Sequence, residues 1–274
     1  MTINCKEKLI DLSSPKVMGI LNITPDSFFD GGSYKDEKDI LDKVTKMLSD
    51  GATFIDVGAY SSRPGAKHIT EEEELQRIIP VIELLVKNFP EIIISVDTFR
   101  SKVAQETINA GAAIINDISG GKMDENMFTT VAKLQVPYIL MHMLGTPQTM
   151  QLNPEYKNVT KEIISFFAEQ INILHQLKVN DIILDVGFGF GKTIEHNFEL
   201  LKNLSLFKSL DAPILAGISR KSMLYKTLDI TAQEALNATT SANTIALLNG
   251  ANILRVHDVK EAVEAIKIVN QISF

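Results

Sequence analysis

Residues 92–97 read IIISVD, an apolar run that stops on a carboxylate, and the next stretch, 100–110, carries apolar residues at three-to-four spacing. The same unit of apolar run, polar stop and helix-like stretch occurs eight times. The other runs are Val17–Leu21 before Asn22, Thr53–Val57 containing Asp56 and leading to Ser61, Ser62 and Arg63, and Ile114–Ile115 before Asn116. They continue with Tyr138–Met141 before His142, Ile182–Leu184 before Asp185, Ile214–Gly217 before Ser219, Arg220 and Lys221, and Asn252–Leu254 before Arg255 and His257. Strands buried on both faces read as continuous apolar runs, and eight helix-separated copies fit a closed parallel barrel. The expected fold is α/β, a TIM (β/α)8 barrel occupying residues 1–274 as one domain. Its active site belongs at the C-terminal ends of the strands, so the polar stops should converge on one pocket.

The eight helical stretches run over roughly 37–50, 70–88, 100–110, 124–134, 156–178, 195–208, 231–249 and 258–271. Thr70 and Glu73 form a candidate capping box before Leu75 and Ile78. Two connections, Ile23–Tyr34 and Gly58–Ile69, are too long to be turns alone, and long irregular segments in compact domains are mostly functional. Both follow the first two barrel strands.

With 45% hydrophobic and 22% charged residues over 274 positions, the composition is that of a globular protein with a large core. A net charge of −7 argues against a general binder of nucleic acid or membrane surfaces. The one cysteine, Cys5, has no intramolecular partner, and MTINCKEKLIDL lacks the apolar core of a signal peptide. No apolar stretch approaches the roughly 20 residues that span a bilayer, and a cytoplasmic location is expected.

Within this acidic chain Arg63, Lys221, Arg255 and His257 all fall just past strand ends, which points to an anionic ligand. Barrels commonly bind phosphate through the loops after strands 7 and 8, where Arg220, Lys221, Arg255 and His257 lie. A second set, Asp97, Asn116 and Asp185, supplies acceptors for a flat heterocycle rich in N–H groups, with Lys221 donating to its carbonyl. No His/Cys cluster has zinc spacing, which leaves Mg²⁺ held by one protein oxygen and substrate phosphates, with Asn22 the candidate ligand. DVGFGFGKT (185–193) is not a Walker A loop, because Val186 stands where its first glycine belongs. Its glycines instead let backbone pass close to a ligand after Asp185, with Phe190 as an apolar wall. His142 and His175 take no catalytic role, and no nucleophilic triad is evident.

The segments MGILNITPDSFFDGG (18–32), DVGAYSSRPGA (56–66), SVDTFR (95–100), NDISGG (116–121), DVGFGFGK (185–192), ISRKS (218–222) and RVHD (255–258) resemble, in order, the motifs of the dihydropteroate synthase family. The resemblance implies a transferase of folate biosynthesis that joins 6-hydroxymethyl-7,8-dihydropterin diphosphate to p-aminobenzoate with release of pyrophosphate. It implies that Asp97, Asn116, Asp185 and Lys221 hold the pterin, and that Ser62, Arg63, Arg255 and His257 hold the diphosphate. It also implies that Asn22 serves Mg²⁺, that Phe28, Pro64, Phe190 and Ser222 surround the aminobenzoate, and that the two long loops close over the reacting centre. Arg63, Arg255, His257 and Lys221 would be the catalytic residues, with Arg63, Arg255 and His257 stabilising the leaving group together with Mg²⁺. A homodimer and a place among sulfonamide targets are further implications. The chain departs from the family pattern at Tyr60, where Glu is common, at Ser62, where Thr is common, and at Val186, where Pro is common. The rival readings are a pterin-binding methyltransferase barrel, which has no use for a diphosphate clamp, and a catalytically silent pterin binder.

Overall fold

The computed structural model describes residues 1–23, 34–61 and 68–272. The chain opens with an antiparallel hairpin, β1 (Thr2–Cys5) and β2 (Lys8–Asp11), turned through Lys6 and Glu7 at φ 51° and 64°. Eight parallel strands come next: β3 (Lys16–Asn22), β4 (Phe54–Gly58), β5 (Ile94–Asp97), β6 (Ile114–Asp117), β7 (Tyr138–Met141), β8 (Ile182–Asp185), β9 (Ile214–Ala216) and β10 (Ile253–Val256). Each strand pairs with the next, and β10 closes on β3. Outside them lie α1 (Tyr34–Ser49), α2 (Glu71–Asn88), α3 (Ser101–Asn109), α4 (Met127–Leu134), α5 (Val159–Gln176), α6 (Ile194–Lys202), α7 (Ser222–Tyr225), α8 (Leu236–Leu248) and α9 (Val259–Val269). A 3₁₀ segment, Leu204–Leu210, succeeds α6. The eight-stranded barrel read from the sequence is therefore present, and all eight runs are strands.

Side chains alternate between the two faces of each strand. Outward residues such as Val17, Leu21, Val57, Val96, Leu140 and Leu184 pack with the helices in one large core. Inward residues Met18, Phe54, Ile114, Ile139, Ile183, Leu215 and Ile253 form a second, smaller core with Ile3, Cys5, Ile10 and Leu12. The N-terminal hairpin thus plugs the bottom of the barrel, and each fully buried aliphatic side chain there contributes roughly 1.5–3 kcal/mol. Asn252 Nδ2 donates to Leu12 O at 3.0 Å and Asp181 accepts from Asn4 N at 3.0 Å, which ties the plug to the barrel floor. From the sequence, this hairpin registers only as the lack of a signal peptide.

Two residues above the apolar layer the inward positions turn polar: Phe54 is followed by Asp56, Ile114 by Asn116, Ile183 by Asp185 and Ile253 by Arg255. Alternation of period two puts these groups on the inner wall at its C-terminal end. Thr70 Oγ1 caps α2 by accepting from Glu73 N at 3.1 Å, but the Glu73 carboxylate turns to Arg77 at 2.5 Å and does not complete the expected box. A full box forms at Thr193 and His196, at the start of α6.

Candidate active site

The site is built around Arg255, which projects inward from β10. Its Nε donates to Asp56 Oδ2 at 2.6 Å and one terminal nitrogen to Asp97 Oδ2 at 2.9 Å, so the guanidinium bridges β4 and β5 across the barrel. Asn116 Nδ2 donates to the same Asp56 oxygen at 3.1 Å. Asp56 is completely buried, whereas the side chains of Asp97 and Arg255 keep 17% and 18% exposure, so this pair borders the open end of the pocket. Burial, partly offset by Arg255 and reinforced by Asp56, raises the Asp97 carboxyl to about 7. Asp185 is raised as well, by burial against the opposing pull of Lys221 and the Gly187 amide, which donates to its Oδ1 at 2.8 Å. Lys221 is lowered to about 8, chiefly by burial, with Asp185 opposing.

Separate sets, carboxylates for a ring and cations for an anion, are expected from the sequence. Arg255 joins them, because the carboxylates it pairs with stand on neighbouring strands facing the same interior. Asp56, which the sequence reading places only inside a run, is the residue missed. Its signal is available, since it stands two positions after Phe54, as Asn116 stands after Ile114.

Lys221 Nζ donates to the carbonyl of Phe188 and stands 4.6 Å from the centre of the Phe190 ring. Those carbonyls and rings belong to the glycine-rich segment after β8. Gly187 has φ +70°, and a Cβ there would fall 2.0 Å from His142 O, so only glycine lets this backbone lie against the end of β7. Lys192, 3% exposed, threads beneath, with Nζ 3.1 Å from His142 Nδ1, 3.2 Å from His142 O and 2.9 Å from Phe190 O. His142 is pushed down to about 2, first by burial and then by Lys192, and is a neutral partner of that lysine. The connection after β7, residues 142–158, is a third long one that the sequence reading does not single out. It reaches this segment through Gln151 Nε2 to Gly189 O at 2.7 Å and Tyr156 OH to Gly191 O at 2.8 Å.

At the rim, Ser219 Oγ is 3.0 Å from His257 Nδ1. His257 is lowered to about 4, by desolvation first and the Arg255 charge second, so it stands as a neutral imidazole and not as the cation counted from the sequence. Arg220 is also redirected: from a left-handed backbone, φ 55°, it forms two 2.8 Å bonds to Asp258 and further bonds to Ala232 O and Gln233 O. That salt bridge joins the loops after β9 and β10 and takes Arg220 out of the expected anion site. Ser222 opens α7, and Phe190 is half-buried against the Lys221 ammonium. Asn22 ends β3, with Oδ1 3.7 Å from where a Cβ on Gly58 would lie. Phe28, Ser62, Arg63 and Pro64 lie outside the described residues, as do residues 24–33 and 62–67 of the two loops expected to close over the site.

A closed parallel barrel here carries two carboxylates on an arginine, a third carboxylate facing a lysine and an amide bonded to the first, a set of donors and acceptors with the chemistry to take a flat, nitrogen-rich ring. Residues 18–257 match the pterin binding enzyme family. The dihydropteroate synthase of Escherichia coli strain K12 is 45% identical over 262 residues, covering 95% of this chain and 92% of that protein. Among solved structures, the Yersinia pestis dihydropteroate synthase in a sulfonamide drug complex superposes with a TM-score of 0.93 at 42% identity over 99% of both chains. The Xanthomonas albilineans enzyme with 4-aminobenzoic acid gives 0.91 at 35% identity, over 99% of this chain and 97% of that one. The chain belongs to the pterin binding enzymes and, within them, to the dihydropteroate synthases, transferases of folate biosynthesis.

Proposed function

We propose that the whole chain is one pterin-binding domain that condenses 6-hydroxymethyl-7,8-dihydropterin diphosphate with p-aminobenzoate and releases pyrophosphate. The observation that carries this reading is the convergence of Asp97, Asn116, Asp185 and Lys221 around the Arg255 bridge at one end of the barrel. Ring N–H and exocyclic amine groups of the pterin donate to Asp97, Asn116 and Asp185, and Lys221 donates to its carbonyl. Binding then satisfies carboxylates whose burial is otherwise costly.

The C–O bond of the hydroxymethyl diphosphate breaks toward pyrophosphate while the arylamine nitrogen forms the new C–N bond and afterwards sheds a proton. Arg255, Arg63 and the Ser62 hydroxyl face the departing charge, and His257, neutral in the free site, donates a hydrogen bond to it. Stabilisation of this kind acts on the transition state more than on bound substrate. Phe28, Pro64, Phe190 and Ser222 surround the aminobenzoate, and the loops after β3 and β4 close over both substrates.

Mg²⁺ is the proposed cofactor. Asn22 offers one neutral oxygen opposite the side-chain-free Gly58, and no cluster of three or more His, Cys, Asp or Glu competes among the described residues. One amide oxygen with phosphate oxygens and waters suits this hard cation, which when bound neutralises diphosphate charge. We further propose a cytoplasmic homodimer, supported by the exposed Ile245, Leu248 and Ile268 on α8 and α9, and competition of sulfonamides with p-aminobenzoate. No described helix is long and apolar enough to cross a membrane. Incubation with both substrates and Mg²⁺ should yield pyrophosphate and dihydropteroate in equal amounts, and absence of both products would reject the reading.

A further inference from the structure

Tyr60 lies two residues past β4 and takes part in neither the pterin floor nor the leaving-group contacts. It is nonetheless 9% exposed, and its phenol lies 3.2 Å from His68 Nδ1 and accepts from Gln148 Nε2 at 3.2 Å. Its ring meets Phe99 edge-on at 5.0 Å, with the Arg100 guanidinium 5.5 Å from its centre. Arg100 is itself held by the Glu74 carboxylate and by Ile69 O at 2.6 Å. Segments after β4, β5 and β7 therefore meet at one aromatic ring.

Gln148 belongs to a turn that is fixed internally, with Thr146 N donating to Thr149 Oγ1 at 3.1 Å and Met150 N to Thr146 O at 2.7 Å. One end of this turn bonds Tyr60 and the other, through Gln151, bonds the carbonyl of Gly189, next to Phe190. A second, apolar route runs in parallel: Tyr60, Phe99, Met141, Met143 and Met150 share one buried cluster, and Phe190 packs against it. Two connections, one polar and one apolar, which share Met150, thus lead from the tyrosine to the aromatic wall beside Lys221.

We propose that Tyr60 is a positioning residue for the aminobenzoate side of the site, setting Phe190 through the Gln148–Gln151 turn and the methionine cluster. The proposal rests on the function stated above, in which Phe190 borders the second substrate. Tyr60→Phe keeps the ring and removes only the hydroxyl, and Gln148→Leu, at an exposed position, removes the matching donor. Loss of one such bond corresponds to about a 3- to 10-fold change. In steady-state assays at saturating pterin diphosphate, each single variant should raise KM for p-aminobenzoate by about that factor, with kcat and calorimetric affinity for hydroxymethylpterin unchanged. Because both residues serve one bridge, the double variant should be no worse than either single. Unchanged KM, additive losses, or an equal loss of pterin affinity would overturn the assignment. Amide exchange read by mass spectrometry across residues 146–151 and 187–191 tests the tie without turnover. Faster exchange of both segments in Tyr60→Phe is expected, and no change there would reject the proposal even if the unmodified protein made no dihydropteroate.

Discussion

Replacing Arg255 by alanine removes the cation that spans Asp56 and Asp97. Asp56 is wholly buried and Asp97 largely so, which leaves two carboxylates facing each other without their shared partner. Breaking a buried pair by deleting one member costs about 3–5 kcal/mol. The size of the loss should depend on pH. In the folded protein the Asp97 carboxyl rises from 3.8 to about 7, so between those values the folded state holds more protons than the unfolded chain. Stability from this group therefore falls as pH climbs toward 7 and levels off above it. Without the opposing guanidinium, Asp97 stays protonated to higher pH, and the window of falling stability extends above 7. Urea unfolding at about pH 5.5 and about pH 8.5 should show a smaller deficit at the lower value, where Asp97 is protonated in either protein and only the pair with Asp56 is lost. Turnover should drop by about 10²–10³, the cost typical of one preorganised donor. Affinity for free hydroxymethylpterin should fall too, because Asp97 changes its protonation. A pH-independent deficit below about 1 kcal/mol, with pterin affinity intact, would refute the bridging role of Arg255.

Asp185→Asn should weaken pterin binding by about 1–3 kcal/mol without unfolding the protein, as read by calorimetric titration. Lys221, lowered to about 8 mainly by burial, loses its proton as pH rises through that value, so pterin affinity should decline on the alkaline side, and Lys221→Arg should flatten the decline. Affinity that stays flat well above 8 in the unmodified protein would remove the ammonium from the pterin contacts. Gly187→Ala puts a Cβ 2.0 Å from His142 O in a left-handed backbone, and thermal unfolding should register more than about 2 kcal/mol of lost stability. Leu12→Ala, at a fully buried position of the barrel plug, should cost about 2–5 kcal/mol with the site chemistry unaltered.

The repeat of apolar run, polar stop and helical stretch was sufficient for the eight strands and the closed barrel, because burial on both faces and right-handed helical crossovers leave few other solutions. It was also sufficient for the end of the barrel at which Asp97, Asn116, Asp185 and Arg255 gather, since alternation alone assigns them to the inner wall. Pairing across the barrel is different: Arg255 and Asp56 stand 199 positions apart, and nothing local to either one tells that the arginine is held by a carboxylate. The same holds for Arg220, which Asp258 takes out of the anion site, and for His257, which desolvation first and the Arg255 charge second hold neutral. The hairpin of residues 2–11 was hidden because its few apolar side chains are buried by a floor assembled from seven of the barrel strands. Motif and periodicity are properties of neighbours along the chain, and they determined the fold and the chemical groups of the pocket. Which charges neutralise one another depends on distances that exist only once the barrel has closed, and the tertiary structure alone decided that.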